Sequence, residues 1–162
     1  MKPQYVKREE EMEIVTAQKD DLKTILAITH TTIKTIYPRY YPAGAVQFFL
    51  EHHSDEHVMA DISEEKVFLI YEKGEPVGTV TVSDLNINRL FVLPEHQHKG
   101  YGKALLAFAE KKILETYDYI QMDASLPAKG IYLKRGYKEI EYNIIETNNG
   151  DCLCYDVMRL DK

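Results

Sequence analysis

The sequence predicts one α/β (α+β) domain built on a mixed sheet, and three observations lead there. Segments with helical apolar spacing alternate with short strand-like runs along the chain. Two pairs of strand-like runs are joined by turn chemistry, Glu72-Lys73-Gly74-Glu75 and Thr147-Asn148-Asn149-Gly150-Asp151, and read as hairpins. The 162 residues hold no internal repeat, low-complexity tract or linker, and that length suits a single core.

In chain order, residues 13–17 form a short strand. Asp20 and Asp21 offer an N-cap to a helix over 21–36, in which Leu22, Ile25, Leu26, Ile33 and Ile36 make an apolar stripe interrupted by Thr29. Pro38 ends it. A second helix is expected over 43–53 on Ala45, Val46, Phe49 and Leu50, and Ser54-Asp55-Glu56 can cap a short third one through Ile62. Residues 67–71 and 77–82 are the strands of the first hairpin, and 88–93 is a strand stopped by Pro94. From Gly100 to about Tyr117, the positions of Tyr101, Leu105, Phe108, Ala109 and Ile113 give a helix. A strand over 119–123 and a short helix over 127–135, ending at Gly136, follow. Residues 137–146 and 152–160 are the strands of the second hairpin. Residues 1–10 are expected to be a loosely ordered lead-in to a domain over 11–162.

Composition narrows the function. A 44% apolar and 28% charged chain is that of a globular protein. A net charge of -6 argues against general nucleic-acid binding, which needs a basic face, and is compatible with a cationic substrate such as an amine. No apolar run approaches the roughly 20 residues that span a bilayer, and no apolar stretch follows Met1-Lys2-Pro3 as in a secretory signal. Cys152 and Cys154 would share one face of a strand, too close along one chain for an ordinary disulfide, with no His or Cys nearby at zinc-ligand spacing. His52-His53 likewise lacks the spacing of a helical metal pair. These features predict a cytoplasmic protein with reduced thiols that takes no metal, nucleic acid or membrane.

The chemistry is concentrated after the strand that ends at Leu93. Pro94 is followed by Gln97-His98-Lys99-Gly100-Tyr101-Gly102 and then by a helix. A helix N-terminus has unpaired amides and a partial positive charge, which suits an anion such as a pyrophosphate. Gly100 and Gly102 let a ligand approach the backbone, and Lys99 and Lys103 add positive charge. A P-loop would end in Gly-Lys-Ser/Thr, but Gly102-Lys103 is followed by Ala104; a dinucleotide fingerprint would need a third glycine. By spacing alone the run serves equally as a glycine-bearing turn that caps a helix.

The segment from Leu90 through Gln97-His98-Lys99-Gly100-Tyr101-Gly102 to Leu106 resembles the acyl-CoA-binding motif of the GNAT superfamily of N-acetyltransferases, Arg/Gln-x-x-Gly-x-Gly/Ala after a strand. Ala128-Lys129-Gly130-Ile131-Tyr132-Leu133-Lys134-Arg135-Gly136-Tyr137 resembles the family's second motif, Ala-x-x-x-Tyr-x-x-x-Gly-Phe/Tyr. The two motifs stand in the family's order and cover residues 90–137. The resemblance implies a twisted, mostly antiparallel sheet of six to seven strands with four to five helices on both faces. It implies an enzyme that transfers an acetyl group from acetyl-CoA to a primary amine of a small molecule or peptide by direct attack, and a homodimer is an assembly compatible with it. Backbone groups of Leu90, Phe91 and Val92 would hold the pantetheine arm. The loop residues Gln97, His98, Lys99, Gly100, Tyr101, Gly102 and Lys103 would hold the pyrophosphate, with Lys129 as a further cosubstrate contact. Ser125 stands where many relatives have a cosubstrate-touching asparagine.

Acyl transfer needs a neutral amine held near the thioester carbonyl, a donor for the oxyanion and an acid for the leaving thiolate. The Val92 N–H is a candidate donor. Tyr132 matches the tyrosine that faces the CoA sulfur and is the candidate catalytic acid; packing of the last helix is its other reading. No general base is assigned. Asp84, Asn86 and Asn88 share one strand parity, and of these only Asp84 can take a proton, a water chain being the alternative. His96 and His98 read as solvated loop residues. Tyr37, Arg39, Tyr40, Tyr41, Phe48, Phe49, His52 and His53 either line the acceptor site or pack the turn between two helices. The alternative to an enzyme is a non-catalytic acyl-CoA-binding sensor, which the absence of a strand carboxylate favours.

Overall fold

The computed structural model describes residues 12–162, so the lead-in expected over residues 1–10 lies outside the described residues. In chain order the elements are β1 (Met12–Thr16), α1 (Leu22–Ile36), α2 (Ala43–His52), α3 (Asp55–Ser63), β2 (Val67–Glu72), β3 (Glu75–Ser83), β4 (Asn86–Val92), α4 (Tyr101–Leu114), β5 (Tyr119–Ala124), α5 (Leu126–Arg135), β6 (Lys138–Glu146) and β7 (Cys152–Asp161). Short 3-10 turns at Lys19–Asp21, Tyr37–Arg39 and Pro94–His96 complete the described residues' helical content. The predicted mixed architecture is observed as one seven-stranded sheet in the order β1-β2-β3-β4-β5-β7-β6. Every neighbouring pair is antiparallel except β4 and β5.

Several boundaries differ from the sequence expectation, those of β4 and α4 among them. β4 starts at Asn86, because its first residues pair with Ser83 and Val82 across a tight turn. α4 ends at Leu114, and Gly100 is its N-cap with φ 95° rather than its first helical residue.

Strand alternation splits the core in two. Phe68 and Ile70 of β2 pack with Leu105, Leu106, Ala109 and Ile113 of α4 and with Tyr132 of α5. Val67 and Leu69, their neighbours, face Ile25, Ile28 and Ile33 of α1, Ala45 of α2, and Val58 and Ile62 of α3. Helices therefore cover both faces, which is why β2 reads as an unbroken apolar run. Each fully buried Ile or Leu contributes about 1.5–3 kcal/mol relative to exposure. Gly78 of β3 permits the close approach of α4: a Cβ there would sit 3.1 Å from Leu105 Cδ1 and 3.0 Å from the Phe91 carbonyl.

The sheet is interrupted at its centre. β5 and β7 share six register pairs, whereas β4 and β5 share only Asn86↔Gln121. Beyond that pair the two strands part. The cause is visible on the other edge of β4, where Asn88 opposes Thr81 and Phe91 opposes Thr79. Arg89 and Leu90 thus oppose Val80 alone, a bulge that bends β4, with Arg89 in the left-handed region at φ 45°.

Candidate active site

The parted strands open a cavity of ≈ 1130 Å³, lined by β4, the β4–α4 loop, α5 and the α1–α2 region. Most of the loop's geometry is left-handed or extended: His98 has φ 62° and Gly100 φ 95°. Gly100 caps α4 without a side-chain hydrogen bond, so the amides of the first helical turn are not covered by a cap side chain. A Cβ built on Gly100 meets nothing within 4 Å, and one on Gly102 meets only Val92 Cγ2 at 3.7 Å. The space in front of these amides is open, as an anion cradle requires.

β4 presents its backbone to the same cavity. Leu93 N–H donates to the Val77 carbonyl at 2.9 Å, so in an antiparallel ladder Val92 turns its own N–H and C=O away from β3. The Val92 carbonyl accepts from Gln97 Nε2 at 3.0 Å and from Thr32 Oγ1 at 3.3 Å. Gln97 therefore ties the loop to the end of β4.

Tyr132 enters from α5, and the helix is held at both ends. Leu126 N–H donates to the Tyr41 hydroxyl at 2.8 Å, and that hydroxyl donates to the Cys154 carbonyl at 3.2 Å. At the other end Gly136 closes the helix at φ 103°. Arg135 makes a two-pronged ion pair with Glu110 of α4, at 2.8 and 2.6 Å, and Tyr137 donates to the same carboxylate at 3.0 Å. Burial pushes the Tyr132 hydroxyl well above its ordinary pKa, so it keeps its proton.

Leu90, Phe91, Val92, Gln97, His98, Gly100, Gly102, Lys103, Ser125 and Tyr132 all line the cavity. Lys99, Tyr101 and Lys129 do not. Tyr101 is buried, and its hydroxyl bonds Glu72, which holds that carboxylate below its usual range. Lys99 adds positive charge beside Glu72. Lys129 bridges Glu139 at 2.7 Å and Asp156 at 2.9 Å, linking α5 to β6 and β7. Ser125 receives a hydrogen bond from the Tyr37 hydroxyl at 3.2 Å. Asp84 is not on a strand with Asn86 and Asn88: it sits in the β3–β4 turn at φ 52°, exposed and away from the cavity wall.

The aromatic stretch packs the turn between α1 and α2, and part of it also lines the cavity. Tyr37, Tyr41 and Phe49 pack as a ring cluster with centroids 4.8–5.7 Å apart. Tyr37, Tyr40, Phe48, Phe49, His52 and His53 also line the cavity. Phe48 stacks on His52 with centroids 6.0 Å apart and planes inclined by 8°. Arg89 crosses from the bulge to this wall, pairing with Asp61 of α3 and donating from Nε to His53 Nδ1 at 3.0 Å. Burial, reinforced by Arg89, pushes His53 down to about 3 and keeps it neutral.

Among the cavity residues that sequence reasoning passed over are Arg89 and Asp123. The signal for Arg89, a cation inside an apolar strand, was present, but its partner lies 28 residues away. For Asp123 the signal was the alternation of β5: Ile120, Met122 and Ala124 are buried, leaving Gln121 and Asp123 on the other face.

The sequence model of the acetyltransferase (GNAT) domain matches residues 36–150. A curated relative, the uncharacterized N-acetyltransferase YafP of Escherichia coli K12, is 26% identical over 85 residues, which are 52% of this chain and 54% of that protein. This match thus spans about half the length of the relative. A GCN5-related N-acetyltransferase from Rhodopseudomonas palustris superposes with a TM-score of 0.83 at 22% identity, covering 93% of this chain and 95% of that one. The PaiA N-acetyltransferase of Thermoplasma acidophilum, solved with coenzyme A, gives 0.72 at 20% identity, covering 93% and 99%. With the domain match extending over most of the sequence, the chain belongs to the GNAT acetyltransferase family.

Proposed function

We propose that this protein is an acetyl-CoA-dependent N-acetyltransferase that acts on a primary amine of a small molecule or peptide. One observation carries the reading: a single cavity joins the uncapped start of α4, the outward-turned backbone of β4 and the buried Tyr132 hydroxyl. Its ≈ 1130 Å³ exceeds the roughly 300–1,000 Å³ of a site for one drug-sized ligand, which leaves room for two substrates.

The residues present fit the cosubstrate. Amides from His98 to Lys103, with the Lys103 ammonium, suit its pyrophosphate, while the β4 edge around Val92, whose N–H and C=O turn away from β3, suits the amide groups of its pantetheine arm. When bound, acetyl-CoA supplies an activated acetyl thioester. The Val92 N–H is a main-chain donor for a carbonyl oxygen that gains negative charge. Tyr132, a phenol whose pKa burial raises further and which is therefore protonated at neutral pH, can give a proton to a departing thiolate. Lys129, held by Glu139 and Asp156, ties α5 to β6 and β7.

The test is release of free CoA thiol from acetyl-CoA in the presence of a panel of primary amines, with mass spectrometry of the acetylated product. Amine-dependent thiol release is expected. Tight CoA binding without turnover of any amine would refute the enzyme and leave a sensor.

A further inference from the structure

The cavity wall holds many cations and rings but one carboxylate, that of Asp123. Of the other acidic groups near the site, Asp61 is held by Arg89, Glu110 by Arg135, and Glu139 and Asp156 by Lys129, while Glu141 of β6 lies outside the cavity lining. Asp123 makes no hydrogen bond or ion pair among the described residues. Its place in the sheet is specific. Gln121 forms the single register pair between β5 and β4, and Asp123 is the next residue on that face of β5, where the strands begin to part. Its neighbours Met122 and Ala124 belong to the core under α4 and α5, as does Tyr132. Asp123 therefore faces the α1–α2 side, and Tyr132 reaches the gap from the α5 side.

We propose that Asp123 binds the acceptor's ammonium and serves as the general base, and that the acceptor is a primary amine on an apolar or aromatic body. This rests on the acetyltransferase reading. The groups facing Asp123 set its chemistry. His52 of α2 lies on one side, and Tyr155 of β7 on another. Val157 pairs with both Asp123 and Glu141, which places Glu141 of β6 in the same row. The cavity walls push Asp123 above the usual carboxylate range; Glu141 adds to this and His52 opposes it. That direction brings a carboxylate closer to the basicity that proton abstraction needs. His52 is itself pushed down by burial, with Arg89 and His57 adding to it, so at neutral pH it offers a neutral ring stacked on Phe48. The wall on the His52 side of the carboxylate is therefore aromatic and uncharged, which suits an apolar body next to the amine.

The step balances as follows. The ammonium gives one proton to the Asp123 carboxylate. The neutral nitrogen forms a C–N bond to the acetyl carbon, and the C–S bond breaks. The thiolate takes the Tyr132 hydroxyl proton, and the second proton lost by nitrogen returns to Tyr132 through solvent. The products are the N-acetyl amide and CoA thiol, with Asp123 releasing its proton to solvent.

The experiment compares wild type with Asp123→Asn and Asp123→Ala, using acetyl-CoA with 2-phenylethylamine as acceptor. Binding of 2-phenylethylamine and of the uncharged 2-phenylethanol to the CoA complex is measured in parallel. Expected are an unchanged melting temperature and CoA affinity, a kcat/KM lowered about 100-fold or more, and loss of wild type's preference for amine over alcohol. A kcat/KM for Asp123→Asn within threefold of wild type overturns the proposal while leaving the acetyltransferase reading intact. Absence of 2-phenylethylamine binding to wild type also overturns it. Asp123-dependent binding without any thiol release would remove the general-base role and the acetyltransferase reading, and keep the carboxylate as an amine anchor.

Discussion

Substituting Gly100 tests the anion cradle directly, because the structure separates its conformational from its electrostatic effect. Gly100 stands at φ 95° with open space where a Cβ would go. A side chain there meets no clash, but an L-residue in the left-handed region costs about 1–2 kcal/mol. That cost falls on the fold, with or without ligand, and shows as a lower melting temperature. Gly100→Gln carries the strain and the bulk; Gly100→Glu adds one negative charge at the start of α4. At about 6 Å and an effective dielectric near 40, repulsion from each phosphate charge is roughly 1.4 kcal/mol. Two such charges give about 3 kcal/mol, or a ~100-fold difference in Kd between the two variants. Calorimetric titration with CoA at low ionic strength reads this difference. In about 1 M salt, where the screening length drops to roughly 3 Å, the gap should close to a few-fold. Equal affinities for Gly100→Glu and Gly100→Gln at low salt would show that no diphosphate sits before α4, and the cosubstrate site would have to be sought elsewhere.

Two further predictions concern the other walls of the cavity. Tyr132→Phe keeps the ring packed on Tyr137 but removes the proton donor; turnover should fall about 100-fold or more while CoA affinity stays within twofold, and an unaltered rate in the thiol-release assay would dismiss Tyr132 as an acid. His53 is neutral in the fold, with a pKa pushed down to about 3, against roughly 6.5 when unfolded. Its folded-state value is depressed, so below about pH 6.5 the unfolded chain binds the extra proton and stability is lost towards pH 3, by up to about 1.4 kcal/mol per pH unit. Urea midpoints measured across this range should fall more steeply for wild type than for His53→Gln; parallel curves would refute the assignment.

What the sequence made legible was local. The five helices and seven strands of the described residues could be placed because their apolar spacing, Ser54 and Pro38 are short-range signals. The Gln97–Gly102 loop could be found because an anion site at a helix start is written in consecutive residues. Asp84 was misplaced because strand parity was extended through a turn, and only the φ of 52° reveals that the chain reverses there. Lys129 sits inside a recognisable motif, yet its ammonium is taken by Glu139 and Asp156, residues that reach it through strand register across β6 and β7. Asp123 was invisible for a related reason: the alternation of β5 places it on the face away from α4, but consecutive residues do not reveal that a cavity lies there.

The acceptor half of the site depends on Arg89, and Arg89 lies outside the glycine loop and the tyrosine motif. Its left-handed backbone, which costs about 1–2 kcal/mol in a non-glycine residue, bends β4 away from β5 and so opens the cavity. The same bend carries its guanidinium to α3 and α2, where Asp61 and His53 hold it. That contact offsets the backbone strain, and it also fixes the wall on which Phe48 and His52 stack. Bulge, ion pair and aromatic wall are thus mechanically one unit. A bulge without its partner on α3 would tend to relax towards regular pairing with β5, closing the gap beside Asp123. This explains why the donor half could be read from a contiguous run while the acceptor half could not. A helix start needs only its own neighbours, whereas a parted strand is kept open by residues far apart in the chain.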